Sequence, residues 1–426
     1  SMVFTALSVL VFCAYAGKRR EPLPWFLLAL AFAVSPGVID YSRWMLSEAP
    51  FLFFTLGALW MLREDREDTG IGKHFWLGLA ASIMSFYVRS IGALLLVAGS
   101  LSYLFRREWR KFLVHGAVGA GLTVPWLLRT RLVTGTASSY LEEFRLQNVY
   151  SPEAGYLDAG GMVGRLLDNA GLYATRELPR ALAGSDSTWS GSGLIVMMAV
   201  ALCALVLFAL VRVFRKRPDA AALYFVLTGV AIMLFQSSVN DVRYLVPLIP
   251  LFLLYGADGA AALAGRARRA ATRTLVPCCF AGVLALVALG AHAARIPANL
   301  DMVARYAAGD RYAGYHPAWR RFFEASSWVK ENTPGDAVVT VRKPRLFNAL
   351  TGRRVELYPY STDTDSVFQV VRRTDYVLID AIFPTTQRYL VPALQEHIDV
   401  LDVVHQTEAP VTLVLGVRDA VPIPDP

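Results

Sequence analysis

Ten apolar segments fill the first 294 residues, at approximately 2–16, 23–39, 44–62, 74–88, 90–105, 112–129, 191–213, 220–237, 244–264 and 274–294. A helix needs about 20 residues, within a range of about 17–25, to cross the hydrocarbon core of a bilayer. Runs this long and this frequent restrict the chain to a polytopic, mainly α-helical membrane protein. The loops between them agree. Lys18, Arg19, Arg20, then Arg63, Arg66, Lys73, then Arg106, Arg107, Arg110, Lys111, then Arg212, Arg215, Lys216, Arg217, then Arg266, Arg268, Arg269, Arg273 occupy every second loop. The intervening short loops hold only Arg43, Arg89 and Arg243. Positively charged loops stay in the cytoplasm, and the alternation runs through all ten segments without a break.

Three expectations follow from that parity. Residues 130–190 lie outside, everything after 295 lies outside, and the first helix runs inward. The run 2–16 lacks a basic start and is followed by basic residues, the wrong order for a secretory signal. A cytoplasmic N-terminus would need one more helix and an external loop upstream, so the chain is expected to be N-terminally truncated. The external segment has two amphipathic stretches, Tyr140–Val149 and Met162–Leu178. In the second, Val163, Leu166, Leu167, Ala170 and Leu178 recur near helical spacing. Such helices can lie flat at the membrane interface, or form two short helices of an ordinary external loop.

Composition separates the two parts of the chain. It is 55% hydrophobic and 18% charged, with a mean hydropathy of +0.42, which excludes disorder and an ordinary soluble enzyme. The net charge of +8 belongs to the loops of the first 294 residues. Residues 295–426 carry 15 basic and 16 acidic side chains. A basic excess placed this way reports membrane topology, not nucleic-acid binding. After 295 a helix is expected at Trp319–Asn332, and short strands at Ala337–Val341, Arg354–Leu357, Tyr376–Asp380 and Val411–Val417. Helical stretches are expected near 363–373 and 386–397. That alternation predicts a small α/β domain, dividing the chain into a transmembrane domain 1–294 and an extracytoplasmic domain 295–426. Cys13, Cys203, Cys278 and Cys279 all fall in apolar runs without a CxxC, so neither a zinc site nor a disulfide framework is indicated. Phosphate-binding, dinucleotide and metalloprotease motifs are absent. His115, near an inner helix end, reads as a packing residue.

The chemistry-bearing residues stand at the outer ends of helices. In Asp40-Tyr41-Ser42-Arg43-Trp44-Met45-Leu46-Ser47-Glu48-Ala49-Pro50, Glu48 enters an apolar run. An ionisable group there is costly unless it faces a partner or a cavity. Asp40 and Glu48 either share a polar cavity with Arg43, or Ser47-Glu48 serves as a helix-start device. Arg89, in the turn Tyr87-Val88-Arg89-Ser90-Ile91-Gly92, either snorkels or holds a phosphate. Arg243 follows Asn240-Asp241-Val242 and precedes Tyr244, at the mouth of a helix that carries Pro247 and Pro250. Its planar fork suits phosphate oxygens, and the alternative is a local pair with Asp241. Pro125-Trp126-Leu127-Leu128-Arg129 is a fourth helix exit. Four arginines beside one membrane-level acid point to an anionic ligand bound from outside.

At these clusters the sequence resembles the GT-C superfamily of integral-membrane glycosyltransferases, in particular the bacterial branch near dolichyl-phosphate-mannose protein mannosyltransferases (family 39) and aminoarabinose transferases. The resemblance rests on Pro36 to Phe54 with Ser47-Glu48-Ala49-Pro50, Arg89-Ser90-Ile91-Gly92, Pro125 to Arg129, and Arg243-Tyr244-Leu245-Val246-Pro247 followed by Pro250. In the tail it rests on Trp328 to Pro334 and Thr351-Gly352-Arg353-Arg354. It implies inverting sugar transfer at the outer face of a bacterial cytoplasmic membrane, from a polyprenyl-phosphate-linked sugar to a lipid, glycan or protein acceptor. Arg243 is then the leading donor-phosphate contact, with Arg89, Arg129 and Tyr244. Glu48, with Asp40, orients the acceptor or a divalent cation, Mg2+ or Mn2+. The resemblance also places an acidic general base in an external loop after the first helix, upstream of this chain's start. Two other functions fit the same sequence: a transporter or flippase of lipid-linked sugars, and a non-catalytic membrane assembly subunit.

Overall fold

A computed structural model describes residues 1–17, 22–43, 46–68, 70–134, 144–184, 188–265 and 270–418. The basic residues Lys18, Arg19, Arg20, Arg266, Arg268 and Arg269, the pair Trp44-Met45, and Tyr140 to Glu143 of the first amphipathic stretch lie outside the described residues. The chain divides into two compact units, one of residues 1–145 with 158–296, the other of residues 146–157 with 297–426.

The first unit is helical throughout. Its helices are α1 (Met2–Gly17), α2 (Pro22–Ala33), α3 (Pro36–Ser42), α4 (Glu48–Glu64), α5 (Lys73–Val88), α6 (Ala93–Phe105), α7 (Trp109–Thr134), α8 (Ala159–Leu172), α9 (Leu178–Ala183), α10 (Gly193–Phe214), α11 (Ala220–Leu234), α12 (Ile249–Ala264) and the part of α13 (Ala270–Ala307) up to Ile296. Each apolar segment is helical among the described residues, but fewer reach across a bilayer than the ten expected. Trp109–Thr130, Gly193–Phe214, Val242–Ala264 and Thr274–Ala307 are long and apolar enough. A fifth span results if α2 and α3, bent by 45° before Pro36, are taken together. Helices such as α1, at 16 residues, extend only about 24 Å at 1.5 Å per residue. Proline accounts for the α2–α3 break, since it supplies no N–H and sterically excludes the preceding helical turn.

Packing in this unit follows size. Phe12 of α1 lies against Phe32 of α2 with ring centroids 4.8 Å apart. Leu52, Leu56 and Leu59 of α4 bury against α1 and α5. His115 is buried, its Nδ1 2.9 Å from Ser100 Oγ and its ring against Phe75 and Tyr103.

The second unit holds α14 (Pro317–Asn332), α15 (Pro344–Thr351), α16 (Thr364–Val371) and α17 (Val391–Glu396) around a five-stranded sheet. The strands are β1 (Val338–Thr340), β2 (Arg354–Glu356), β3 (Tyr376–Ile379), β4 (Leu401–Gln406) and β5 (Leu413–Val417), in the order β2-β1-β3-β5-β4. β1 runs parallel to β2 and β3, and β5 runs antiparallel to β3 and β4. β4 and α15 are elements that the sequence pattern did not disclose. Alternation along the strands feeds two cores. Leu378 and Val414 join Phe322 and Val329 of α14 and Phe347 of α15. Val377 and Leu415 face the other way, toward Val367, Leu390 and Ala393.

A short strap, residues 146–157, packs within this unit although it lies between α7 and α8 in the chain. Leu146 bridges Tyr156. The Tyr389 hydroxyl donates to the Tyr150 carbonyl at 2.8 Å, and Arg388 Nη1 to Ser151 Oγ at 2.8 Å. The Arg342 guanidinium lies over the rings of Tyr150, Tyr360 and Phe383.

Candidate functional site

The polar centre of the first unit forms where α4 begins. Glu48 is the first residue of α4 and is 3% exposed. Ser47 stands at the cap position but makes no side-chain cap bond, so the helix-start reading of Ser47-Glu48 is not what the structure shows. Glu48 instead binds Arg89, whose Nη1 donates to Oε1 across 41 residues of sequence. The other oxygen, Oε2, is buried without a hydrogen-bond partner.

Arg89 owes its placement to a tight turn. It follows α5 in an extended conformation (φ −148°) and leads into a 3-10 turn at Ser90–Gly92. A Cβ at Gly92 would sit 2.5 Å from Phe86 N and Ser85 C, so only glycine lets the chain fold back this closely. The turn aims the guanidinium over the rings of Phe51 and Tyr244, each 5.9 Å away.

Arg243 reaches the same ring. Its guanidinium lies 4.8 Å from the Tyr244 centroid, and its Nη2 donates to the Tyr244 hydroxyl at 2.8 Å. Its Nε is buried and has no partner. The expected Asp241–Arg243 surface pair takes another form. Asp241 Oδ1 accepts the Arg243 backbone N–H at 3.2 Å and the Tyr41 hydroxyl at 2.5 Å, leaving the guanidinium free of that carboxylate. Two arginines thus converge on one tyrosine ring, with Glu48 paired to Arg89. The spare guanidinium N–H groups suit an anion.

Two of the expected residues lie apart from this cluster. Asp40 does pair with Arg43, at 2.8 Å, but its main partner is Arg295 Nη1, at 2.9 and 3.0 Å to its two oxygens. Gly184 (φ +91°) makes room for that arginine, since a Cβ there would lie 2.1 Å from Arg295 Nη2. Arg129 is exposed on α7 and stacks on Trp126 at 5.4 Å. Among the described residues no group of three or more His, Cys, Asp or Glu side chains can hold a metal ion. Asp40 and Glu48 are each engaged by arginine, so their geometry does not fit the expected cation.

The wall beside Arg243 comes from α8 and the π-helical turn Tyr173–Glu177 that continues it. Arg165, Asn169, Tyr173 and Glu177 recur every four residues, and all are buried. Val163 and Leu167, expected on the apolar face, are 60% and 63% exposed. The buried stripe is therefore the polar one. Asn169 Nδ2 donates to the carbonyls of Met233 and Phe235, both at 2.7 Å, and Arg165 Nη1 to that of Leu234 at 3.4 Å. These carbonyls end α11 and have no intrahelical donors. Glu177 is fully buried, with Oε1 accepting from Arg176 Nε at 2.6 Å and Oε2 unpartnered. A four-residue polar period was visible in the sequence, but the apolar residues beside it carried the stronger expectation.

The profile of glycosyltransferase family 87 matches residues 1–238. A crystal structure of ArnT from Cupriavidus metallidurans, in the apo state, shares the fold with a TM-score of 0.52. Sequence identity is 13%, over 100% of this chain and 84% of that one. A cryo-EM structure of the arabinofuranosyltransferase AftD from Mycobacteria aligns with 98% of this chain and 34% of its own, at 17% identity and a TM-score of 0.46. No curated protein matches the sequence. The GT-C resemblance stands, and the matching family is 87, so the family 39 branch is not carried further. The chain belongs to glycosyltransferase family 87 and is a multi-pass membrane glycosyltransferase of the GT-C superfamily.

Proposed function

We propose that this glycosyltransferase takes its sugar from a polyprenyl-phosphate donor and passes it, with inversion, to a hydroxyl-bearing acceptor at the outer face of a bacterial cytoplasmic membrane. The observation that carries the reading is the Arg243–Tyr244–Arg89–Glu48 cluster, where a buried guanidinium Nε lacks a partner. The basic residues of alternate loops support the orientation, with residues 146–157 and 297–426 on the outer side.

The acceptor oxygen attacks the anomeric carbon while a carboxylate takes its proton. The bond from that carbon to the phosphate oxygen breaks, and the lipid phosphate leaves with the electron pair. Arg243 and Arg89 face the charge that grows on the leaving oxygen. Fixed donors in a water-poor site lower the barrier because they need no reorientation as charge develops. Glu48 holds Arg89 over Tyr244 and presents its second oxygen to the acceptor.

Arg243→Ala in the full-length protein tests the assignment. Turnover of a polyprenyl-phosphate sugar should fall by at least about 100-fold, with an unchanged thermal midpoint. Turnover equal to wild type would remove Arg243 from the donor site.

A further inference from the structure

Arg243 is only as well aimed as the turn that bears it. That turn has little regular structure of its own. Residues Ser237–Val239 and Val242–Tyr244 form two separate 3-10 turns, with Asn240 and Asp241 between them in extended conformations. An irregular segment holds one conformation only where side chains over-determine it, since loops otherwise keep their conformational freedom.

Asn240 makes that connection. Its Nδ2 donates to Asn169 Oδ1 at 2.7 Å, and its Oδ1 accepts from the Tyr173 hydroxyl at 3.2 Å. Both partners stand on the buried polar stripe of α8 and its π-helical turn. Asn169 is 1% exposed and is itself fixed by the carbonyls of Met233 and Phe235. One side chain therefore grips the chain just before the turn, and a second grips the turn itself. π-Helical turns inside helices are rare and concentrate at functional sites. Here the turn brings both Tyr173 and Glu177 inward, and Tyr173 lies within electrostatic reach of Asp241, Arg243 and Tyr244.

We propose that Asn240, clamped between Asn169 and Tyr173, is a positioning residue that aims Arg243 at the lipid phosphate. This rests on Arg243 being the donor-phosphate contact. The residue touches no reacting atom in this account. It fixes two backbone turns so that the guanidinium meets its anion without searching for a conformation, which is the physical content of preorganisation.

The test measures binding of undecaprenyl phosphate, and turnover of a polyprenyl-phosphate sugar, by full-length Asn240→Ala, Tyr173→Phe and Arg243→Ala proteins. Asn240→Ala should weaken undecaprenyl phosphate binding and raise the donor KM by roughly 10-fold or more. Its kcat at saturating donor should fall as well, by less than in Arg243→Ala, and its thermal midpoint should hold. Tyr173→Phe should act in the same direction with a smaller effect, and the double variant should lose less than the product of the two. If Asn240 is merely structural, its variant melts earlier while the folded fraction binds the lipid phosphate as wild type does, and the inference falls. Should Asn240→Ala fail to fold, Tyr173→Phe decides alone, because it deletes one hydroxyl. Its binding equal to wild type overturns the inference. If Arg243→Ala binds undecaprenyl phosphate normally, the donor reading fails and takes this inference with it. If Arg243→Ala loses binding while the Asn240 and Tyr173 variants keep it, only the inference fails.

Discussion

Helix α4 carries a buried ion pair at each end, and the two are built differently. After its C-terminus, Lys111 spends its ammonium on Asp65 Oδ2 at 2.9 Å and on the carbonyls of Asp65 and Asp68 at 3.2 and 3.4 Å. An ammonium has three N–H groups, so this cation is saturated. At the N-terminus Arg89 makes one hydrogen bond, to Glu48, among the described residues. A guanidinium has five N–H groups, and the neighbouring Arg243 also keeps an unpartnered Nε. Both pairs are desolvated, and desolvated charge costs stability unless its hydrogen-bonding capacity is met. At the first pair the cation is saturated, although Asp65 Oδ1 is buried without a partner. The second pair leaves spare donors beside one tyrosine ring, as the proposed contact with a lipid phosphate requires.

That contrast can be broken at either end, and the largest expected effect is on stability. Lys111→Met strands Asp65, which is fully buried, and should destabilise the protein by about 3–5 kcal/mol. The loss should appear as an earlier thermal midpoint in detergent. Adding Asp65→Leu should recover most of it, and turnover per folded molecule should be unchanged. Lost turnover in the folded double variant would show that the saturated end is not merely structural.

At the other end the effect should be on chemistry. Glu48→Gln keeps the shape and should cut transfer by roughly 100-fold, or about 2.7 kcal/mol in the barrier, with the midpoint held. Full activity would make Glu48 as structural as Asp65. Arg89→Lys keeps the charge but loses the fork, and donor affinity should drop by roughly 10-fold. An equal affinity would mean that charge alone suffices there.

The smallest effect belongs to an exposed pair in the second unit, which gives the lower end of the scale. The Arg418 guanidinium hydrogen-bonds Asp402 and holds its carboxyl below the usual range. A depressed folded pKa stabilises above the unfolded value of about 3.9 and loses that contribution as pH falls through the folded value. Asp402→Asn should therefore slightly flatten the acid dependence of the midpoint below about pH 4. A large flattening would mean that the pair is less solvent-screened than its exposure indicates.

Much of the helical fold was legible because burial in a bilayer writes itself into contiguous apolar runs. The α/β alternation after 295 was legible for a related reason, since β1, β3 and β5 are short apolar runs between turn residues. β4 (Leu401–Gln406) was not, because Leu401, Val403 and Val404 do not alternate cleanly with polar residues and both valines are exposed. The site was legible in part. Glu48, Arg89, Arg243 and Tyr244 stood out as polar groups at helix ends. Their pairing did not, because partners 41 residues apart share no local period. Asp40 finds Arg295 across 255 residues, beyond any spacing argument. Arg165, Asn169, Tyr173 and Glu177 were passed over because amphipathic reasoning assigns polar faces to water. In this unit the inward face of α8 is polar, since the unpaired carbonyls at the end of α11 need donors.

The strap at residues 146–157 has a consequence for biosynthesis. Ser151 is 237 residues ahead of Arg388, its partner. At roughly 5–20 residues per second, the ribosome needs tens of seconds to supply that partner. Through that interval the strap is a waiting tenon without its mortise, carrying Tyr150 with no ring of Tyr360 to meet. The second unit therefore cannot finish in the order in which it is made. Its oldest piece is the last to be seated, and a chaperone or protease acting on the nascent chain would meet that piece first.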